Sequence, residues 1–181
     1  MAGIDLDLKH LPELGSKTDY RIGAIGAGFI MRDVQLAAYD EAGFDVVAIA
    51  SRTPEHARSC AERWGIGRVY ETWRELLDDP EVEILDIAYP PDRQLGIVRE
   101  AVEHADHIKG ILAQKPLATT LEDAAEIVRL CEEAGVVLGV NQNMRYDQSM
   151  RALKTLLDRG YLGEPVVAQI VMHARPHWQD F

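Results

Sequence analysis

The sequence is short of basic residues and of long apolar runs, and each shortage excludes a class of protein. It has 19 lysines and arginines against 30 aspartates and glutamates, which gives a net charge of −11. This excess of negative charge argues against nucleic acid and against an anionic membrane surface as partners. No uninterrupted apolar run approaches the length of a membrane span. We therefore expect neither nucleic acid nor a membrane as a partner.

Cysteine is also scarce, with only two in the chain. Cys60 and Cys131 each fall on the apolar face of a predicted helix, so we expect two separate buried thiols rather than a disulfide framework. Such thiols are typical of a reducing compartment. The N-terminal sequence lacks the basic segment and apolar core of a secretory signal. These features predict a cytoplasmic protein.

The rest of the composition is that of a globular protein, 47% hydrophobic and 27% charged over 181 residues. Apolar runs rich in β-branched residues alternate with segments whose apolar residues recur every three or four positions. Strands and helices alternating at this spacing predict an α/β fold with a doubly wound parallel sheet. The predicted strands cover residues 22–25, 44–50, 68–70, 83–89, 108–113 and 136–140.

The helices are predicted from apolar spacing and from their end signals. The helix that starts at Ile30 is expected to bury Ile30, Val34, Ala37 and Ala38. The helix after Pro90-Pro91 is expected to bury Leu95, Val98 and Val102. Thr119 with Glu122 is predicted to form a capping box for a later helix.

The two ends of the chain differ from this pattern. Residues 1–19 have no strong period and are predicted to be an extension that covers the surface or a partner. Residues 166–173 are predicted to form a strand, either paired with the preceding sheet or opening a second domain. We favour an incomplete second domain over residues 144–181, after a nucleotide-binding domain over 20–143.

A glycine turn lies between the first strand and its helix, in the sequence Y-R-I-G-A-I-G-A-G-F-I-M. Gly26 permits a tight turn, and Gly28 has no side chain to keep a pyrophosphate from the backbone. The helix that follows offers unpaired N–H groups and a positive dipole end to that anion. Met31 replaces the third glycine of this motif, which predicts wider helix–strand spacing or local repacking. The alternative is a purely structural glycine turn.

Ligands of an open parallel sheet lie outside the carboxyl ends of its strands, which share one edge. The segments at these ends are Gly26-Ala27-Gly28, Ser51-Arg52, Tyr89-Pro90-Pro91, Gln114-Lys115-Pro116 and Asn141-Gln142-Asn143. An NAD site usually has Asp or Glu after the second strand, and this chain has Ser51-Arg52. Because these two side chains can bind a 2′-phosphate, NADP is our first choice of cofactor and NAD the second. Alternatively, Arg52 is an ordinary solvated residue.

Lys115 directly follows an apolar strand, and Pro116 restricts its backbone. A lysine at this position in a cleft can hydrogen-bond a substrate hydroxyl. Partial desolvation and a nicotinamide cation would lower its pKa and assist proton transfer. The alternative is a surface lysine in a loop. We expect no metal site, because Pro176 excludes a helical pairing of His173 with His177.

Over roughly residues 20–178 the chain resembles the Gfo/Idh/MocA family of nicotinamide-dependent oxidoreductases, through I-G-A-I-G-A-G-F-I-M, A-S-R-T-P-E, G-I-L-A-Q-K-P-L-A and N-Q-N-M-R-Y. The resemblance implies a Rossmann domain, then a mostly antiparallel domain, and hydride exchange with a carbinol or carbonyl carbon of a sugar, polyol or cyclitol. Lys115 would be the catalytic lysine, with His177 and Trp178 near the substrate. The implied cofactor-binding residues are Gly26, Gly28, Phe29, Ile30, Ser51, Arg52, Tyr89, Pro90, Gln114, Lys115, Asn143 and Arg145.

Two departures from the family pattern affect the predicted activity. Gln114 stands where the family has Glu, and the chain lacks the Asp and His of the family's second domain. Family members also continue for about as many residues again, and assemble as homo-oligomers through that domain. The alternatives are an NAD-dependent glycoside hydrolase of the same family and a non-catalytic nucleotide-binding or redox-sensing module.

Overall fold

Six parallel strands form the central sheet. The computed structural model describes residues 7–13 and 15–171, which divide into two compact units: one within residues 14–142, and one from the described parts of 1–13 and 143–181. The strands are β1 (Arg21–Ile25), β2 (Asp45–Ala50), β3 (Arg68–Tyr70), β4 (Ile84–Ile87), β5 (Gly110–Gln114) and β6 (Val137–Asn141). Their order is β3-β2-β1-β4-β5-β6, and all neighbours are parallel. The predicted doubly wound sheet is confirmed.

Helices follow most strands. A π-helix (Ile30–Gln35) runs into α1 (Leu36–Ala42), and then come α2 (Pro54–Trp64), α3 (Trp73–Leu77), α4 (Pro91–Ala101) and α5 (Leu121–Ala134). A short 3-10 helix, Val102–His104, continues α4. None of the helices in the described ranges has the length and apolar composition needed to cross a membrane.

The sheet buries a cluster of apolar side chains on each face, because successive residues of a strand point to opposite sides. Ile25 and Ile87 belong to the larger cluster, together with residues of α3, α4 and α5. Ala24 and Ile49 belong to the other, with residues of the π-helix, α1 and α2. Cys60 and Cys131 are both buried and free, as predicted, and burial raises the pKa of each thiol.

The helix after the glycine turn buries a different face from the predicted one. Ile30 and Val34 are 39% and 47% exposed, whereas Met31 and Leu36 are buried. The N–H of Leu36 donates to the carbonyl of Met31, which is the i→i−5 bond of a π-helix. This wider turn aligns residues five apart. The prediction assumed the α-helical period of 3.6 residues and therefore assigned the wrong face of this helix to the core.

Two further predictions need correction and a third needs an addition. Thr120, not Thr119, caps α5, and its hydroxyl accepts from the N–H of Asp123 at 3.1 Å. The predicted inward face of the helix after Pro90 is confirmed, since Val98 is fully buried and Leu95 and Val102 pack half-buried against the same cluster; the fully buried Gln94 was not predicted. Residues 166–171 of the predicted last strand form no strand, and 172–173 lie outside the described residues. A strand requires a partner for its backbone groups, which an apolar sequence alone does not provide.

The smaller unit contains a 3-10 helix (Asn143–Tyr146) and α6 (Gln148–Asp158). Residues 7–13 of the predicted N-terminal extension contact α6. The hydroxyl of Thr155 donates to the carbonyl of Leu8 at 2.7 Å, and the guanidinium of Arg151 donates to the carbonyl of Leu11 at 3.0 Å.

Candidate functional site

The carboxyl ends of the six strands lie along one edge of the sheet, called here the carboxyl edge. Strand order reverses between β1 and β4, and ligands of doubly wound sheets bind in the crevice at such a point. The N–H of Gly26 donates to the carbonyl of Ala50 at 2.8 Å, and the N–H of Ala88 donates to the carbonyl of Ile25 at 2.8 Å. The ends of β1, β2 and β4 are therefore in direct contact at this crevice.

Gly26 is required by both its backbone angle and its surroundings. Its φ is +109°, a region that L side chains rarely adopt. A Cβ at this position would lie 2.6 Å from the carbonyl oxygen of Ala88 and 3.3 Å from the ring of Tyr89. The tight turn predicted at Gly26 is confirmed, and its tightness lets the β1 turn approach the end of β4.

Gly28 is exposed and faces open space. A Cβ there would meet no atom of the described residues within 4 Å, so nothing in that part of the chain requires glycine at this position. The N–H of Arg32 donates to the carbonyl of Gly28 at 2.8 Å, which closes the first helical turn. Phe29 and Ile30 flank this space and are 58% and 39% exposed. The open helix start fits the pyrophosphate of a dinucleotide, because its first N–H groups lack helical partners.

Met31, at the position of the missing third glycine, is fully buried. Its side chain belongs to the apolar cluster that contains Ala24, Ala27 and Leu36. Met31 lies within the π-helix and packs in the core there, and the wider spacing or local repacking inferred from the missing glycine stays a prediction.

The segment after β2 carries no carboxylate at its first two positions. Ser51 is half-buried, and its Oγ accepts from the N–H of Thr53 at 3.3 Å. Arg52 is exposed and makes no hydrogen bond or ion pair to the part of the chain that the structure describes. Its guanidinium therefore remains available to an anion.

The segments after β4 and β5 lie at the same carboxyl edge. Tyr89 is half-buried and Pro90 exposed. Lys115 is exposed, so the expected desolvation of its side chain is not found within the described residues. Its backbone N–H donates to the Oε1 of Gln114 at 3.0 Å, and Gln114 pairs in register with Asn141 of β6.

The remaining predicted residues belong to the other unit or fall outside the described part. Asn143 and Arg145 lie on the 3-10 helix of the smaller unit, where both are exposed. His177 and Trp178 lie outside the described residues. Within 7–13 and 15–171, no three His, Cys, Asp or Glu side chains are grouped to hold a metal ion.

A buried carboxylate beneath the crevice was not predicted. Asp86 of β4 is fully buried and accepts from the Nε2 of Gln35 at 2.7 Å and from the hydroxyl of Tyr39 at 2.7 Å. Burial raises the pKa of Asp86 to about 6, although both hydrogen bonds favour the charged form. The sequence signal was an aspartate inside the apolar run E-I-L-D-I-A-Y. Asp86 links β4 to the helix that follows the glycine turn.

A cleft at the opposite edge of the sheet is a poorer candidate for the site. It is lined by residues that include Tyr39, Phe44, Asp45 and Trp64, and its volume is about 190 Å³. Pockets for small molecules usually measure about 300–1,000 Å³. The strand order also places the ligand crevice at the carboxyl edge rather than here.

Comparison with known proteins identifies the family. The profile named GFO_IDH_MocA, described as an oxidoreductase family with an NAD-binding Rossmann fold, matches residues 20–142. The chain belongs to the Gfo/Idh/MocA family. The family resemblance and the Rossmann fold that it implied are confirmed.

Proteins similar to this chain include a 1,5-anhydro-D-fructose reductase of Ensifer adhaerens, 34% identical over 163 residues that cover 89% of this chain and 48% of the relative. A solved oxidoreductase from Agrobacterium radiobacter, in complex with NAD+, L-tartaric acid and magnesium, is 32% identical with a TM-score of 0.76, covering 82% of this chain and 42% of that one. Levoglucosan dehydrogenase, in complex with NADH and levoglucosan, is 28% identical with a TM-score of 0.72, covering 80% and 40%. The chain spans less than half the length of each.

Proposed function

We propose that this chain binds a nicotinamide dinucleotide at the carboxyl edge and serves hydride exchange with a carbinol or carbonyl carbon of a sugar, polyol or cyclitol. The observation that carries this proposal is the crevice between β1 and β4, where Gly26 permits close approach and Gly28 leaves open space. Relatives named as a sugar reductase and a sugar dehydrogenase support the substrate class.

Different residues of the carboxyl edge would bind different parts of the dinucleotide. Gly28 and the helix start after it would hold the pyrophosphate, with Phe29 and Ile30 beside it. Tyr89, Pro90 and Gln114 would line the nicotinamide end. Asn143, Arg145, His177 and Trp178 remain predictions for the same site from residues beyond the larger unit.

Lys115 would bind the substrate oxygen whose charge changes during the reaction. When bound, the dinucleotide supplies the hydride or accepts it. The exposed ammonium of Lys115 can donate a hydrogen bond to a hydroxyl or carbonyl oxygen and can exchange a proton with it. It is the residue of the edge to which we assign a catalytic role.

NADP remains our first choice of cofactor and NAD the second. Ser51 and the available guanidinium of Arg52 support binding of a 2′-phosphate, and a carboxylate that would repel it is missing from both positions. The two solved relatives described above are in complex with NAD+ or NADH. The choice therefore depends on the chemistry of two residues.

The test is a calorimetric titration of the chain with NADPH and with NADH, repeated on Arg52→Ala. Arg58→Ala is the matched control, since Arg58 is also exposed but lies within α2. NADPH should bind more tightly than NADH, and only Arg52→Ala should remove that difference. Equal loss of both affinities in Arg52→Ala would contradict the NADP assignment, and no binding of either nucleotide would refute the function.

Two wider properties stay predictions. The two free, buried cysteines support a reducing compartment, which we take to be the cytoplasm. The homo-oligomer is expected for the full-length form, as the family resemblance implied.

A further inference from the structure

We propose that Gln94 is the positioning residue of the loop that carries Lys115. Gln94 lies on α4 and is fully buried. Its Nε2 lies 2.9 Å from the carbonyl oxygens of Gln114 and Pro116 and 3.1 Å from that of Leu117, and its two hydrogens are shared among these three acceptors. Its Oε1 accepts from the N–H of Gln114 at 2.8 Å.

These four backbone groups lie on both sides of Lys115. The carbonyls before and after Lys115 are turned inward to one buried amide, and the lysine side chain is exposed. No backbone–backbone hydrogen bond joins residues 115–118 to any residue in the described ranges. The side chains of Gln94 and Gln114 therefore supply the hydrogen bonds that hold this segment.

The four backbone groups around position 94 require a neutral amide side chain there. A buried carbonyl or N–H left without a partner is costly, and glutamine provides donors and an acceptor on one planar group. A carboxylate could accept from Gln114 but would face the three carbonyl oxygens without a proton to share. An apolar side chain of equal size would leave all four groups unpaired. The identity of residue 94, and not only its volume, thus decides where Lys115 is held.

This inference rests on the proposed function, because it gives Lys115 a place beside a bound dinucleotide. The test measures the rate at which an acetylating reagent modifies Lys115, by mass spectrometry, with and without NADPH. The NADPH concentration is set for each variant to about ten times the Kd of that variant for NADPH. At this occupancy, a lysine covered by the bound nucleotide is acetylated about tenfold more slowly. Because occupancy is equal in all variants, a change in stability or affinity alone does not alter this protection.

Gln94→Met and Gln94→Glu are compared with Ile97→Ala, which removes buried apolar volume from the same helix but leaves the hydrogen bonds of Gln94 to the loop in place. Wild type and Ile97→Ala should show the full protection of Lys115, and the Gln94 variants should lose most of it. Gln94→Glu retains an oxygen that can accept from the N–H of Gln114, and it replaces Gln94→Met in the test if that variant does not fold.

The outcomes separate the two proposals. Full protection in wild type and in either Gln94 variant at equal occupancy would overturn the positioning role and leave the function intact. Lack of binding of both NADPH and NADH by wild type would refute the proposed function and, with it, this inference; if only NADH binds, the same test is run with NADH.

Discussion

Gly26 and Gly28 are two residues apart but should respond to alanine in opposite ways. At Gly26 the added Cβ meets the Ala88 carbonyl oxygen at 2.6 Å, and φ is +109°. At Gly28 it meets no atom of the described residues within 4 Å. Gly26→Ala should therefore lower the free energy of unfolding. Gly28→Ala should lower only the affinity for a ligand that approaches the backbone there.

The cost at Gly26 has two parts. A non-glycine residue held in such a sparsely populated backbone region costs about 1–3 kcal/mol. The clash adds to this, because the Ala88 carbonyl belongs to backbone at the end of β4 and moves only with the sheet. We expect a loss of about 3 kcal/mol, which lowers Tm by roughly 10 °C in a unit of this size. Gly28→Ala should stay within about 0.5 kcal/mol of wild type.

The assay combines urea unfolding with calorimetric titration by NADPH. Gly28→Ala should weaken nucleotide binding at least about tenfold, or about 1.4 kcal/mol, while its unfolding curve matches wild type. A Gly26→Ala protein less than about 1 kcal/mol destabilised would mean that the turn is not as tight as described. Unchanged affinity in Gly28→Ala would show that no pyrophosphate lies over this glycine.

Substitutions at three other places test further parts of the structure. Met31→Gly restores the third glycine of the motif but empties a core position, so it should cost about 3–5 kcal/mol in urea unfolding; a neutral result would place Met31 outside the core. Asp86 has its folded pKa raised from 3.8 to about 6, so its stabilisation is full below pH about 4 and is lost as pH rises through about 6. The unfolding free energy of wild type minus that of Asp86→Asn should fall by about 3 kcal/mol across this window, and parallel pH curves would contradict it. Thr120→Ala should cost about 1 kcal/mol and Thr119→Ala much less, and the reverse order would restore the cap predicted from the sequence.

The strands and their common edge could be predicted because their signals are local. β2, β4 and β5 are apolar runs ended by residues that interrupt the pattern, and parallel pairing then places those ends together. Pro54 marks the start of α2 in the same local way.

The wrong or missing predictions concern places where the helix is irregular or where residues distant in sequence are in contact, which rules based on neighbouring residues do not describe. The π-helix after Gly28 changes the helical period, so the face of Ile30 and Val34 was assigned to the core wrongly. Gln94 contacts a loop 20–23 residues away, and Asp86 contacts Gln35 across 51 residues. Periodicity contains no information on such pairs, although a polar residue inside an apolar pattern marks where to look for them.

The binding site itself is tested most directly by hydrogen exchange of the backbone amides with and without saturating NADPH. Protection should appear in the segments after β1, β2, β4 and β5, at Gly26–Ile30, Ser51–Arg52, Tyr89 and Gln114–Lys115. The backbone amides that line the cleft at the opposite edge, at Phe44, Asp45 and Trp64, should exchange at the same rate with and without NADPH. Protection confined to that cleft, or absent from the glycine turn, would contradict a dinucleotide site at the carboxyl edge.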